Sequence, residues 1–387
     1  MKEGARSQEP GASRARIFIS AGETSGDLYA SRVVRAMPGV EFFGCAGPRM
    51  QAEGVRAVVD SRSIAVVGIV EVLAHIPRIY GEFRKLKGAI AAQKPDAAVL
   101  TDSPDFHFRL LKFLKRQGVP VVYLIAPQAW AWRQGRVKTL RATVTRLLCI
   151  FPFEEEFFTR HGVPATYIGH PLARIVKPSM TRGEFCAKFK LPADKKIVVL
   201  LPGSRHGEVE RHIDDLLDAS RRLGGRDLVF VLALPGGFGN TFSERIRGSS
   251  IQVIEGVTWD ALAHAELALA ASGTVTIEAA LLGCPLVTFY KVNALSWILG
   301  RWLVRAPFLS MVNLVAGRKI APELIQDEMT GEKIAAEAVK LLADPAAMDE
   351  MRAGLKEVSA KLASERDPMD VAAEWVQKVV HEKACRT

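Results

Sequence analysis

Short, fully apolar runs recur along the chain, each followed by a small-residue turn and then by a longer stretch with helical spacing. A strand that kept one face in water would alternate polar and apolar positions. These runs do not alternate, so they read as parallel strands covered on both faces. One set comprises Arg16–Ser20, Val40–Ala46, Ala97–Thr101, Val121–Ile125 and Leu147–Phe151. A second comprises Ile197–Leu201, Phe230–Leu234, Gln252–Glu255, Leu267–Ala271 and Leu286–Tyr290. Strand and helix alternating in this way predict an α/β protein built from two doubly wound units in series. The segment Tyr167–Leu172, with His170-Pro171, reads as the hinge, giving units at 15–172 and 173–349 after a loose tail at 1–14. His170 itself also fits a satisfied structural histidine.

Two apolar segments do not fit the strand pattern. Ile64–Leu73 is ten residues long and is followed by Arg78, Arg84, Lys85 and Lys87. It is too short to span a bilayer. It suits a core helix, or an interfacial patch in which Val66, Val67, Ile69, Val70 and Leu73 meet lipid beside cations. Leu295–Val304, with Trp297 and Trp302 around Arg301, offers the same choice.

The most informative turn follows Leu267–Ala271. A strand that breaks at Ser272-Gly273-Thr274 and continues as a helix turns unpaired backbone N–H groups and the positive end of a helix dipole toward one pocket. Phosphate suits such a pocket, and Glu278, about one turn further on, is placed to accept bonds from a ribose diol. An ordinary capped helix start fits the stretch equally well. Leu201-Pro202-Gly203-Ser204-Arg205 follows the first strand of the same unit, and the Arg205 guanidinium can fork onto phosphate oxygens.

In the first unit, the loop Ala21–Asp27 contributes Gly22, Ser25, Gly26 and Asp27 beside the first strand end, without the Gly-Lys-Ser/Thr of a P-loop. Asp102-Ser103-Pro104-Asp105 lies just past the strand Ala97–Thr101, where open α/β sheets place their chemistry. Asp102 reads as a general base. Asp105 reads as a partner that orients it or, more simply, as the N-cap of the next helix. Trp130, Trp132 and Arg133 follow another strand end, where indole faces stack on sugar and Arg133 can meet a phosphate. Packing of at least one tryptophan is an equal alternative.

Composition narrows the partners. The 387 residues carry a net charge of +10, which steers a protein toward polyanions. There is no RNA-binding aromatic signature, zinc-finger spacing or basic run longer than two residues, so lipid headgroups or phosphorylated substrates are favoured over nucleic acid. The five scattered cysteines predict reduced thiols in a cytosolic protein. Met1–Ser13 lacks the apolar core of a signal peptide. No run of eighteen apolar residues occurs, so membrane contact is expected to be peripheral.

Six motifs occur in order: A-G-E-T-S-G-D at Ala21–Asp27, A-G-P-R-M at Ala46–Met50, V-G-I-V-E-V-L at Val67–Leu73, W-A-W-R-Q at Trp130–Gln134, L-P-G-S-R at Leu201–Arg205, and A-S-G-T-x-T-x-E at Ala271–Glu278. Together, from about Ile17 to about Leu342, the chain resembles the lipid-A-disaccharide synthase family. The resemblance implies a GT-B glycosyltransferase of two facing Rossmann-like domains, with C-terminal helices from about 350 returning to the first. It implies inverting, metal-independent transfer of 2,3-diacylglucosamine from UDP-2,3-diacylglucosamine to 2,3-diacylglucosamine 1-phosphate (lipid X), with release of UDP and no cofactor. The location implied is the inner face of the cytoplasmic membrane of a Gram-negative bacterium, on an anionic surface, with a homodimer left open. On this reading Asp102 is the base, and Arg205 with Ser272–Thr274 meets the leaving diphosphate. Glu278 holds the ribose, Asn313 joins the UDP-sugar contacts, and the Trp130–Arg133 loop reaches across the cleft. The chain departs from the family pattern at Ala173-Arg174, where an acidic residue is frequent, at Ser103 in place of alanine, and at His107 in place of asparagine. A UDP-sugar 2-epimerase of the same fold and a non-catalytic nucleotide-sugar-binding protein are the rival readings.

Overall fold

The computed structural model describes residues 14–63, 69–225, 227–238, 241–293, 297 and 306–385. The apolar runs form two parallel sheets. The first contains β1 (Arg16–Ala21), β2 (Glu41–Ala46), β3 (Arg56–Asp60), β4 (Ala97–Thr101), β5 (Val121–Leu124), β6 (Arg146–Cys149) and β7 (Ala165–Tyr167). Its strand order is β3-β2-β1-β4-β5-β6-β7. The second contains β8 (Lys196–Leu201), β9 (Leu228–Leu234), β10 (Gln252–Glu255), β11 (Leu267–Ala271), β12 (Leu286–Tyr290) and β13 (Glu323–Ile325), ordered β10-β9-β8-β11-β12-β13. Both sheets are therefore wound outward in two directions from a central pair, β1/β4 in one and β8/β11 in the other. At that switch point the flanking connections diverge and leave a crevice at the strands' carboxyl ends.

Four strands, β4, β10, β11 and β12, have the bounds that the apolar pattern predicts. The three that the pattern does not announce (β3, β7 and β13) are edge strands of three to five residues. Covered on one side only, they carry mixed side chains and lose the continuous apolar signature.

The last helix, Pro368–Ala384, crosses back to the first domain. Met369, Ala372, Ala373, Val376 and Val379 pack into the same cluster as Ile17, Ile19, Val99 and Leu124. Lys383 Nζ donates to the Pro95 carbonyl at 2.9 Å, and Asp367 accepts from Arg32 at 2.6 Å while capping the helix through the Met369 N–H. The preceding helix, Pro345–Leu362, stays with the second domain through Met351, Leu355 and Val358. The crossing thus falls at 363–367, not at the expected 350, because an apolar face on Pro345–Leu362 already has a partner there.

This return strand runs beside the outgoing hinge. The His170 N–H donates to the Leu362 carbonyl at 3.1 Å, and Tyr167 Oη donates to the Lys361 carbonyl at 2.7 Å. Arg174 donates to the Ser364 carbonyl at 2.5 Å and also to that of Glu365. The Ala173-Arg174 departure from the family pattern therefore serves the hinge.

Val66, Val67 and most of Leu295–Val304 lie outside the described residues, as does the tail at 1–13. Ile69, Val70 and Leu73 fall within the helix Ile69–Gln93, with their side chains outside the description. Among the described residues no helix is long and apolar enough to cross a membrane.

Truncating the buried Met369 side chain tests the returning helix. Met369→Ala should cost about 2–4 kcal/mol and lower the thermal midpoint of the chain. An unchanged midpoint would mean that the helix does not hold the first domain.

Candidate active site

The two switch points face each other across a cavity of about 680 Å³. Ser25, Gly26, Asp102 and Trp132 line the first domain's wall. Arg205, Ser272, Gly273 and Thr274 line the second domain's wall. The sequence analysis named all eight.

Asp102 is the centre of the near wall. It follows β4 with φ +55°, and Ser103 follows with φ +34°. Ile125, just past β5, has φ +65° and Arg133 φ +53°, so among the described residues four of the seven non-glycine positions with positive φ sit on the loops after these two strands. Backbone held in the left-handed region costs energy and persists only where its surroundings enforce it. Here the enforcing contacts converge on the Asp102 carbonyl, which accepts from Tyr123 Oη at 3.0 Å and bonds His107 Nδ1 at 2.9 Å. Because a carbonyl can only accept, Nδ1 carries the ring proton, and Nε2 accepts from the Ser20 hydroxyl at 2.8 Å. Complete burial holds His107 neutral, lowering its pKa to about 4. A histidine in place of the family's asparagine reaches both the turn and β1.

The Asp102 carboxylate is gripped by the loop after β1. Oδ1 accepts the Gly22 N–H at 2.8 Å and Oδ2 the Glu23 N–H at 3.1 Å. Burial raises its pKa to about 7, and the bonds from Gly22, Ser103 and Glu23 pull it back only in part. Such a group can gain or lose a proton near neutrality. Both glycines of the loop follow from this approach. A Cβ on Gly26 would overlap the Asp102 carboxylate, and one on Gly22 would overlap the Ser103 side chain.

Asp27, from the same motif, does not line the cavity. Its buried carboxylate accepts the Arg49 N–H at 2.9 Å and the Met50 N–H at 3.1 Å, so it caps the short helix Pro48–Ala52. This joins the A-G-E-T-S-G-D and A-G-P-R-M motifs as one structural unit. Asp105 corrects a second expectation. Ser103, not Asp105, occupies the N-cap position, and Asp105 pairs with Arg133 at 2.7 Å and with Arg136.

On the aromatic loop the two tryptophans divide their work. Trp130 is buried, and its indole N–H donates to Glu154 at 3.0 Å. Glu154 also accepts from the N–H groups of Ile150 and Phe151, and its burial raises its pKa to about 8. Trp132 faces the cavity with the guanidinium of Arg133 4.6 Å from its ring centroid.

On the far wall, Gly203 has φ +134° and a Cβ there would crowd Glu208. Glu208 accepts the N–H groups of Ser204 at 3.0 Å and Arg205 at 3.2 Å. Gly203 and Ser204 therefore build the turn and leave the cavity to the Arg205 side chain, which is 60% exposed. His212 braces this turn. Its Nδ1 donates to the Pro202 carbonyl at 2.6 Å, and its Nε2 accepts the Lys291 N–H at 3.1 Å. The helix start at Thr274 has no such acidic cap; the Thr276 N–H donates to the Gly273 carbonyl at 3.1 Å, and the N–H groups of Thr274 and Val275 remain for an anion. The Ser272 hydroxyl itself is spent on the Leu309 carbonyl at 2.9 Å.

Two predicted donor contacts sit behind this wall. Glu278 is largely buried, which raises its pKa, and takes a bond from the Trp259 side chain. Its charge adds to the burial that pushes Tyr29, on the opposite wall, up to about 12. Asn313 has no free capacity. Its amide nitrogen donates to the Ala321 carbonyl and to Glu323, both at 2.9 Å, and its oxygen accepts from Ile320 and Ala321. It fixes the segment around Ala321 and does not reach the cavity.

Tyr29, Tyr123, Arg136 and His170 line the cavity without having been singled out as cavity residues. Tyr123 was readable as the polar member of an apolar strand. Arg136 carried no signal beyond its place after W-A-W-R-Q. His170 accepts the Leu172 N–H on Nδ1 at 3.2 Å, and burial lowers its pKa to about 3, so the hinge histidine stays neutral.

The chain is similar in sequence to lipid-A-disaccharide synthases and in fold to several solved structures. A lipid-A-disaccharide synthase from Solibacter usitatus (strain Ellin6076) is 58% identical over 372 residues, 94% of this chain and 97% of that one. One from Geobacter metallireducens is 43% identical over 358 residues, 90% of this chain and 93% of that one. Among solved structures, a Staphylococcus aureus MnaA–UDP complex superposes with a TM-score of 0.64 at 14% identity, covering 96% of this chain and 97% of that one. MurG from Acinetobacter baumannii gives 0.57 at 12% identity, covering 95% and 100%. These structures support the GT-B fold and nothing narrower. The family model described as lipid-A-disaccharide synthetase matches residues 17–374, and the chain belongs to that family, as a GT-B hexosyltransferase of lipid A biosynthesis.

Proposed function

We propose that the cleft transfers 2,3-diacylglucosamine from its UDP derivative to 2,3-diacylglucosamine 1-phosphate by a single inverting displacement, with Asp102 as base. The carrying observation is Asp102 at one switch point, in the same cavity as Arg205 and the uncapped helix start at Thr274. The acceptor hydroxyl oxygen attacks the anomeric carbon of the donor. The bond from that carbon to the UDP oxygen breaks, UDP leaves with the bonding pair, and the hydroxyl proton passes to Asp102. The leaving diphosphate meets the Arg205 guanidinium and the Ser272–Thr274 helix start. Glu278 would take the ribose by exchanging its Trp259 bond. Trp132 offers a face to a sugar ring.

Both substrates are lipids, and the docking face of the first domain follows from charge and exposure rather than from any spanning segment. We place the helix Ile69–Gln93 against an anionic membrane, peripherally on the cytoplasmic side. Arg78, Arg84 and Lys85 are exposed there beside Tyr80, whose 59% exposure is high for an aromatic residue.

Three outcomes test these assignments. A base works only when ionised, so kcat/KM should rise with pH through about 7 and level off above it. Asp102→Asn should remove that limb and lower turnover by about two to four orders of magnitude. A wild-type profile flat from pH 5 upward would exclude Asp102. Gly26→Ala should push the Asp102 carboxylate out of the seat that the Gly22 and Glu23 N–H groups hold, so it should leave UDP affinity by calorimetry unchanged while kcat falls by a similar factor. Full turnover in that variant would contradict the close approach. Finally, Arg84→Glu with Lys85→Glu should abolish co-sedimentation with vesicles containing anionic lipid, and retained binding would move the membrane face elsewhere.

A further inference from the structure

The proposed reaction brings in a diphosphate on the donor and a separate phosphate on the acceptor, and the Arg205 wall serves only the first. Among the described residues, the cavity lining includes two arginines, one on each wall: Arg205 on the second domain and Arg136 on the first. We infer that Arg136, with Arg133, is the site of the acceptor's anomeric phosphate, and that Asp105 occupies it until the acceptor arrives. This rests on the reading that the acceptor is a sugar 1-phosphate.

The placement follows from the acceptor's own geometry. Its attacking hydroxyl and its phosphate belong to one sugar ring, so the phosphate site must lie within a ring's width of Asp102 and on the same wall. Arg136 lines the cavity on the same wall as Asp102. It acts electrostatically on Tyr123, whose hydroxyl donates to the Asp102 carbonyl. Its guanidinium lies 5.0 Å from the centroid of Phe108 and 5.5 Å from that of Trp132. With a side chain only 15% exposed, it is held in one place before any ligand binds. Arg133, 4.6 Å from the same Trp132 ring centroid, bonds the same Asp105 oxygen.

Asp105 has the properties of an occupant that leaves. Its side chain is 71% exposed, so solvent screens its ion pairs and receives it when it swings out. A phosphate monoester brings more negative charge and three acceptor oxygens to the same two forks. Keeping a carboxylate there in the free enzyme avoids leaving the half-sunken Arg136 unpaired. Asp105 would also raise the threshold for weaker anions.

The test compares two acceptors, 2,3-diacylglucosamine 1-phosphate and 2,3-diacylglucosamine without the phosphate, at saturating donor. Arg136→Met keeps the aliphatic packing, and Arg133→Ala removes an exposed partner. Each should lower kcat/KM for the phosphorylated acceptor by roughly ten- to a hundredfold and leave the unphosphorylated one within about threefold, with UDP affinity unchanged. Asp105→Asn should lower KM for the phosphorylated acceptor. Equal losses on both acceptors, or a phosphate preference that survives in both arginine variants, would overturn the assignment. A wild-type enzyme that uses neither acceptor would instead overturn the underlying reading of the substrate.

Discussion

The arrangement depends on one contact: a carboxylate after β4 held by the backbone of the loop after β1. Asp102 sits where the sheet's winding reverses, so no crossover covers it, and it is drawn into the protein far enough to raise its pKa to about 7. That position is costly twice over, in desolvation and in left-handed backbone at two consecutive non-glycine residues. The Gly22 and Glu23 N–H groups offset the first cost. The Ser20–His107–Asp102 carbonyl–Tyr123 chain enforces the second. The same burial that makes the group expensive places its titration near neutral pH, where the proposed base has to work.

The opposite wall solves a different problem with a similar frame. Two helix starts flank the β8/β11 switch point, and each could attract an anion. At one of them Glu208 caps the backbone and braces the turn that carries Arg205. At the other, no acidic residue occupies the first turn of Thr274–Leu281. The division leaves one open helix start and one exposed guanidinium, paired with Glu208 at 3.4 Å, facing the cavity, a pairing suited to a leaving group whose charge grows during the reaction.

Much of this was readable in the chain because the strands central to each sheet are buried on both faces and announce themselves as apolar runs. The turns after β1, β4, β8 and β11 were readable too, since small residues and charges directly after such a run mark the carboxyl ends of the strands. Roles within a motif were harder to assign. Asp27, Gly203, Ser204 and Asn313 sit in or near the informative stretches, yet each holds backbone in place and leaves the cavity to a neighbour. Spacing shows that a residue is near a site; only the geometry of its hydrogen bonds shows whether its capacity is already spent. Arg136 is the reverse case, a cavity residue that belongs to no apolar or glycine pattern and is brought in by the fold alone.

The fold by itself does not separate a transferase from an epimerase, since both kinds of protein share this two-domain frame. What separates them is chemistry for a second substrate. A nucleotide-sugar epimerase acts on one sugar and needs no place for an incoming alcohol or its substituents. Here the near wall carries a poised carboxylate, an aromatic face at Trp132 and a pre-positioned guanidinium at Arg136, all on the side away from the proposed diphosphate seat. These groups have no evident use unless another molecule enters from the first domain. The hinge then becomes part of the same argument. The outgoing and returning segments run side by side and are tied at His170–Leu362, Tyr167–Lys361 and Arg174–Ser364, so two connections fix one wall of the cavity against the other. His170 lies at that double connection and lines the cavity, kept neutral by burial, and so adds no charge to compete with Asp102.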